Sequence, residues 1–356
     1  MAIEKIVRAL DVGYGNVKFV RRHDSMEESV VCDMFPSSAP VAGDKLAGEG
    51  IGVRNTVDVK VGGNTYEVGH DVAQAKGASD ISTNFNDKYV RSDKYKALVL
   101  GALHYMFLSI EQNHIDLLVV GLPVDKMKDH KEYLIELLKT THELPNERVV
   151  EIKDVKVFAQ PLGAFFNFMY SPDEKDNLSF HQVKSQRNLV IDPGMFTFDW
   201  LLIENMKGVD EQSGSSEQSM SRIITALSKK ISADNNNANK ETVFQILDNA
   251  FRKGTTPRVF SKDIDLDKYM QFADPVINQS VDLLVRSVND GANIDNIMLV
   301  GGGARFFLKA IKKKFPHHNI MTTSNSVYAN VIGFQMGGER AMLQQQVAAR
   351  KTTISA

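Results

Sequence analysis

The chain has 356 residues, 43% of them hydrophobic, which is enough for two domains with ordinary apolar cores and no stapling disulfides. Its 42 basic and 44 acidic residues leave a net charge of −2, so no global field recruits nucleic acid or an acidic membrane. The single cysteine excludes an internal disulfide, Glu4 and Lys5 stand where a secretory leader has its apolar core, and no apolar run approaches the roughly 20 residues a bilayer needs; a cytoplasmic protein without a membrane partner is expected.

Strands are predicted first, at Val7 to Leu10, Val17 to Arg21 and Ser29 to Met34, with Cys32 as a buried small hydrophobe rather than a nucleophile. Val57 to Val61 and Tyr66 to Gly69 alternate apolar and polar residues about Gly62-Gly63-Asn64, which predicts a hairpin. A helix from Lys94 to Gln112 follows, its Leu98, Leu103, Met106 and Ile110 forming an apolar face. Next come a strand at Ile115 to Gly121, a polar helix at Lys126 to Glu143, strands at Arg148 to Ile152 and Val155 to Phe158, and a helix from Pro161 to Tyr170. This alternation indicates a mixed sheet flanked by helices.

The aperiodic, polar stretch Ser171 to Gln186 is expected to join two domains, residues 1–172 plus 330–356 (with a small subdomain at about 32–95) and residues 187–329. Beyond a second hairpin, helices are expected at Glu217 to Ile231, Lys240 to Lys253 and Leu266 to Asp290, the last kinked or split at Pro275. Asp234 to Asn239 reads as a surface loop, Asn296 to Val300 as a strand running into Gly301-Gly302-Gly303, and Ala329 to Arg350 as the terminal helix. His317-His318 lacks metal-ligand spacing and reads as a turn, and Lys312 to Lys314 suit a helix C-terminus.

One short design appears twice in this order: an apolar run, Asp, one residue, Gly, a tight turn, and a second apolar run. The copies are Ile6 to Val20, with Asp11, Gly13 and Gly15, and Leu189 to Ile203, with Asp192, Gly194, Thr197 and Asp199. A glycine-rich bend exposes backbone N–H groups to phosphate oxygens, and an Asp at the strand end suits a hydrated divalent cation. A single Asp-x-Gly is usually a structural turn. Two of them, followed by a strand entering three glycines, point instead to nucleotide binding.

These residues resemble a known family. Asp11-Val12-Gly13-Tyr14-Gly15-Asn16-Val17-Lys18 resembles the first phosphate loop of the actin-like ATPases, most closely that of the ParM/StbA plasmid-segregation actins. Asp192-Pro193-Gly194-Met195-Phe196-Thr197-Phe198-Asp199 is similar to their second phosphate loop, although Met195 and Phe196 stand where small residues are usual and Pro193 removes one N–H donor. Ala159-Gln160-Pro161-Leu162-Gly163 is similar to the first interdomain connector, Ile297 to Gly303 to the adenosine loop, and Tyr328-Ala329-Asn330-Val331-Ile332-Gly333 to the second connector. All five elements occur in family order.

The resemblance implies an α/β, two-domain actin-like (ribonuclease H-like) fold with a nucleotide cleft between the domains. It implies Mg²⁺ held by Asp11 and Asp192, mainly through water, and a phosphate-facing cation at Lys18. Gln160 would align the attacking water, Asp192 and Asp199 would share the catalytic work, and Gly13, Tyr14, Gly15, Asn16, Gly194, Thr197, Gly301, Gly302, Gly303 and Asn330 would contact the nucleotide. Ser213 and Gly214, in a polar loop, are candidate further contacts. ATP is the expected nucleotide, with GTP not distinguished from it. The family's activity would be assembly of the chain with itself, head to tail, into filaments that move plasmid DNA through a DNA-binding adaptor, with no direct sequence-specific nucleic-acid contact. A non-polymerising nucleotide-binding scaffold or a sugar-kinase-like phosphotransferase is the alternative; no Asp in a Gly-rich substrate motif supports a kinase.

Overall fold

The computed structural model describes residues 5–24, 29–43, 52–75, 89–170, 180–323 and 325–354. The chain divides into two compact units, Met1–Asn177 with Tyr328–Ala356, and Leu178–Val327. Residues 171–179 of the expected junction lie outside the described residues.

In the first unit β1 (Val7–Val12), β2 (Asn16–Asp24) and β3 (Ser29–Pro36) form an antiparallel meander. The hairpin of β4 (Thr56–Val61) and β5 (Asn64–Gly69) turns at Gly62 and Gly63, whose φ values of 58° and 82° only glycine adopts without strain. Then follow α1 (Asp93–Phe107), β6 (His114–Ile115), β7 (Leu117–Leu122), α2 (Met127–Leu138), β8 (Thr141–Glu143), β9 (Val149–Ile152), β10 (Val155–Ala159) and α3 (Gln160–Tyr170). β7 and β10 add in parallel to β1, giving the sheet order β10-β7-β1-β2-β3. Side chains alternate across this sheet: Leu10, Leu118, Val120 and Leu122 pack with Leu98, Leu103 and Met106 of α1, whereas Val7, Ala9, Leu117 and Val119 face the opposite side.

Two helices end sooner than their polarity pattern predicts. The α1 pattern continues to Gln112, but Arg148 donates to the carbonyls of Phe107 (2.5 Å), Ile110 (2.8 Å) and Gln112 (3.0 Å), and its Nε to Asn113 Oδ1 (3.0 Å). Carbonyls left over at the helix end thus find a partner in a residue just before β9, about forty positions on. The α2 pattern extends to Glu143, but Thr141 to Glu143 pair antiparallel with β9 instead. Cys32 lies half-buried on β3, and burial pushes its thiol pKa up to about 12, in keeping with an inert side chain.

The second unit begins with α4 (Phe180–Ser185), a helix where only aperiodic chain was expected. It continues through β11 (Arg187–Pro193), β12 (Phe198–Glu204), β13 (Lys207–Gly208), β14 (Gly214–Ser216), α5 (Met220–Asp234) and α6 (Lys240–Lys253). The hairpin of β15 (Arg258–Val259) and β16 (Lys262–Asp263), α7 (Asp274–Ser287), β17 (Asn296–Leu299), α8 (Ala304–Lys314) and β18 (Ile320–Thr322) complete it. Pro275 sits in the first turn of α7, where its missing N–H costs nothing, and the stretch expected as one helix is split there, with 3-10 turns at Leu266–Lys268 and Met270–Phe272 before it. The sheet order is β13-β12-β11-β17-β18, with β17 and β18 parallel to β11. Strand for strand this repeats the first sheet: an antiparallel hairpin, then two parallel additions.

The chain then returns to the first unit as α9 (Ala329–Ile354). Val331 and Phe334 of α9 cover the Val7, Ala9, Leu117 and Val119 face. Each unit has its own apolar core, and the two-domain α/β actin-like class is borne out by this architecture and by the structural relatives described below.

Candidate functional site

The first hairpin places Asp11 near the end of β1, 1% exposed, directly opposite Lys18 on β2. Lys18 Nζ lies 3.4 Å from Asp11 Oδ2, and Gln160 Nε2 donates to Asp11 Oδ1 at 2.7 Å. Both carboxylate oxygens are therefore held by internal donors, one charged and one neutral. Gln160 reaches this position because it opens α3 immediately after β10, two strands from β1 in the sheet. The turn is closed by the Gly13 N–H donating to the Asn16 carbonyl at 3.1 Å.

Ser37, which sequence reasoning missed, fixes the same turn from outside. Its hydroxyl donates to the Gly13 carbonyl at 2.5 Å and its N–H to the Gly15 carbonyl at 3.0 Å. The one available signal was its place just past β3, the strand that pairs with β2. Tyr14 packs its ring 5.3 Å from that of Tyr89, which meets Tyr95 edge-on at 5.5 Å. The turn is thereby anchored to α1, which carries Tyr95.

The second hairpin repeats the first in register. Asp192 lies one residue from the end of β11, opposite Asp199, and the Gly194 N–H donates to the Thr197 carbonyl at 2.8 Å. Counting from each Asp, the donating glycine is two positions on, the accepting carbonyl five, and the cross-strand partner seven, in both copies. The partner differs: Lys18 in the first, Asp199 in the second. Asp192 and Asp199 are 6% and 1% exposed. Like charges directly opposed on one sheet face are unfavourable, and a divalent cation relieves that repulsion.

The loop is tied to the start of α5: Ser219 Oγ donates to the Gly194 carbonyl at 2.6 Å and the Ser221 N–H to the Met195 carbonyl at 2.7 Å. Met195 turns onto the core of the unit, so its bulk is accommodated there.

Because β17 lies beside β11, the glycine run arrives at the same end of this sheet. The Gly303 N–H donates to the Pro193 carbonyl at 2.9 Å, and a Cβ on Gly301, whose φ is 82°, would overlap the Asp192 carboxylate. Around Gly302 a Cβ would meet nothing within 4 Å. Asp192, Gly194, Thr197, Asp199 and Gly301 to Gly303 are therefore gathered in the second unit, as Asp11, Gly13 to Asn16, Lys18 and Gln160 are in the first.

Ser213 and Gly214 have other employment. The Ser213 hydroxyl donates to the Val209 carbonyl (2.8 Å) and accepts from the Leu202 N–H (3.0 Å), and Gly214 pairs with Trp200 in the sheet. Gly214 opens β14 and Ser213 immediately precedes it, so both border the sheet rather than lying in the polar loop expected. Asn330 is buried (4% exposed) in the first turn of α9, and its carbonyl lies against Gly163 of α3. A Cβ on Gly333 would in turn overlap the Gly163 carbonyl, so the two expected connectors are crossed helices in backbone contact.

Backbone N–H groups, an ammonium and strand-end carboxylates are a donor set that fits a Mg²⁺-bound polyphosphate. The pattern agrees with what the chain is similar to. Residues 9–163 match the family model "Actin like proteins N terminal domain", and residues 183–336 match "Plasmid segregation protein ParM, C-terminal". Among solved structures, the archaeal actin homologue Ta0583 superposes with a TM-score of 0.72 at 20% identity, over 94% of this chain and 99% of that one. A subunit of a 15-stranded ParM filament from Clostridium botulinum gives 0.71 at 20% identity, over 95% and 100%. The psk41 ParM protein gives 0.64 at 19% identity, over 96% and 99%. No curated protein matches the chain.

Proposed function

Since the chain belongs to the actin-like family of ParM type, we propose that it is a nucleotide-dependent, filament-forming ATPase of plasmid segregation. The observation that supports this reading best is the repeated hairpin, with the same Asp and the same glycine N–H closure in both units. An ordinary turn has no need of such repetition, whereas a glycine-closed turn beside a strand-end Asp suits phosphate oxygens and a hydrated cation in each copy.

Bound Mg²⁺–ATP would supply the phosphoanhydride to be cleaved and the charge that shields it. The roles of the chain's own residues follow from their surroundings. Asp192, directly opposite Asp199 on β12, offers a strand-end carboxylate to a hydrated cation. Asp11 has two internal donors, but a carboxylate accepts about four hydrogen bonds, so it can still hold a cation-bound water. Lys18 carries the compact positive charge for phosphate oxygens. Gln160 commits its Nε2 to Asp11, which fixes the amide and leaves its carbonyl oxygen as the end that accepts from an attacking water. The glycines at 301–303 permit close backbone approach to the nucleoside. ATP is the favoured nucleotide by family, and plasmid DNA would be reached through a DNA-binding adaptor. No helix among the described residues is long and apolar enough to cross a membrane, which is compatible with the cytoplasmic site such a system needs.

The test is ninety-degree light scattering with Mg²⁺ and ATP, GTP, ADP or no nucleotide, with phosphate release followed in parallel. Scattering that rises with triphosphate and decays as phosphate appears is expected. A flat trace with nucleotide bound would replace the filament with a scaffold or phosphotransferase.

A further inference from the structure

Two helices carry exposed stripes of opposite charge that match in spacing. α8, from Ala304 to Lys314, contains no acidic residue, and Arg305, Lys309 and Lys312 are exposed along it. At 3.6 residues per turn these three fall within about 60° of one another. α2 exposes Asp129, Glu132 and Glu136 in an equally narrow row, with Lys128 at its flank and Lys131 well off it. Among the described residues none of Lys309, Lys312, Asp129, Glu132 and Glu136 enters an ion pair, whereas Lys314 is satisfied by Asp282 at 2.7 Å. Arg305 lies over the rings of Phe306 and Phe251, 4.7 and 5.6 Å from their centres, which restrains it without neutralising it.

The spacings are complementary in one orientation. Along α2 the carboxylates are separated by three and then four residues. Along α8 the cations read three and then four only when the helix is followed backwards, from Lys312 to Lys309 to Arg305. Laid antiparallel, the helices bring Lys312 opposite Asp129, Lys309 opposite Glu132, and Arg305 opposite Glu136, with rows about 4.5 and 6 Å apart at 1.5 Å per residue. Antiparallel helices also oppose their macrodipoles favourably.

We propose that the α8 stripe of one copy of this chain docks on the α2 stripe of a second copy, and that this contact is one of those that build the filament; it rests on the filament reading above. Because the two stripes are different patches of the chain, the contact is heterologous and leaves each copy with one stripe to offer, so it propagates instead of closing on itself. Its dependence on exposed charge makes it sensitive to salt.

The experiment uses two charge-reversed full-length variants, Lys309→Glu with Lys312→Glu, and Asp129→Lys with Glu132→Lys. Each alone should still bind a fluorescent ATP analogue but raise the critical concentration for pelleting by about tenfold or more, since like charges now meet across the contact. Mixed in equal amounts they should recover assembly with the two variants alternating, because the reversed α8 of one meets the reversed α2 of the other and the unaltered α8 of the second meets the unaltered α2 of the first. Unimpaired assembly of either variant, or failure of the nucleotide-bound mixture to recover, overturns the proposal. So does intact assembly of the α8 variant coupled with loss of salt-sensitive duplex DNA binding that the parent chain shows, which would assign the basic stripe to nucleic acid. If the parent chain does not assemble, the filament reading fails separately, and sedimentation velocity of the mixture decides the contact: a mixed dimer supports it and monomers overturn it.

Discussion

Asp11 and Asp192 occupy equivalent positions but unequal electrostatic surroundings, and the difference separates binding from positioning. Asp192→Ala removes the carboxylate that faces another acid, so it should weaken Mg²⁺–nucleotide binding at least tenfold in equilibrium titration while leaving the metal-free nucleotide affinity nearly unchanged. Gln160→Ala should retain binding and slow phosphate release by about a hundredfold, the scale of losing a positioning group. Equal loss of binding in both variants would refute the division of roles. The two carboxylates, their glycines and Lys18 were legible in the sequence because each hairpin is a local unit whose spacing is its geometry. The Gln160–Asp11 hydrogen bond was not, since its partners are 149 positions apart and only the sheet order joins them. Ser37 was invisible for the same reason: nothing in a lone Ser-Ser pair announces that its hydroxyl will seize a turn 24 residues earlier.

At the level of elements, α3 and α9 cross with backbone against backbone at Gly163 and Gly333. A methyl group on Gly333 would overlap a backbone carbonyl, which cannot move aside as a side chain can. Gly333→Ala should therefore cost about 1–3 kcal/mol or more and lower the melting temperature by several degrees. Gly302→Ala, with open space around it, is the control that leaves melting unchanged. Elements were read well where periodicity and capping coincided: α6 begins after Asn239, whose side chain accepts from the Thr242 N–H, and ends at Gly254 with φ of 65°, as its sequence indicates. They were misread where a tertiary partner decided the end. The apolar rhythm of α1 runs on past Phe107, but Arg148 claims the carbonyls there, and Thr141 to Glu143 trade the end of a helix for a place beside β9. Pro275 splits the stretch expected to be helical, as its rigidity predicts, and does so by starting α7.

For the molecule as a whole, acid should act in two stages. Burial lowers the pKa of His104 and of His142, opposed in part by hydrogen bonds to the backbone at Pro145 and Leu138. Both are thus neutral in the fold and easier to protonate once unfolded, so stability falls as pH drops below about 6.5, the ordinary histidine value. Asp116 adds the second stage. Burial raises its pKa, but hydrogen bonds from the Ile6 N–H, Lys153 and Lys5 outweigh that and hold it below the usual carboxylate range. Its contribution is present above about pH 4 and disappears as pH falls through the lowered value. Melting temperatures taken from pH 8 to pH 3 should show both declines, and His104→Gln with His142→Gln should flatten only the first; a rise in stability on acidification would contradict the assignment. The order in which the chain is written also matters, because the second unit is contiguous whereas the first is interrupted by it. During synthesis the face of Val7, Ala9, Leu117 and Val119 must wait for Val331 and Phe334 to emerge, an interval on the order of 10 s at ribosomal speeds. The half made first is the half finished last, and through that interval its unsealed hydrophobic face is the natural target for a chaperone.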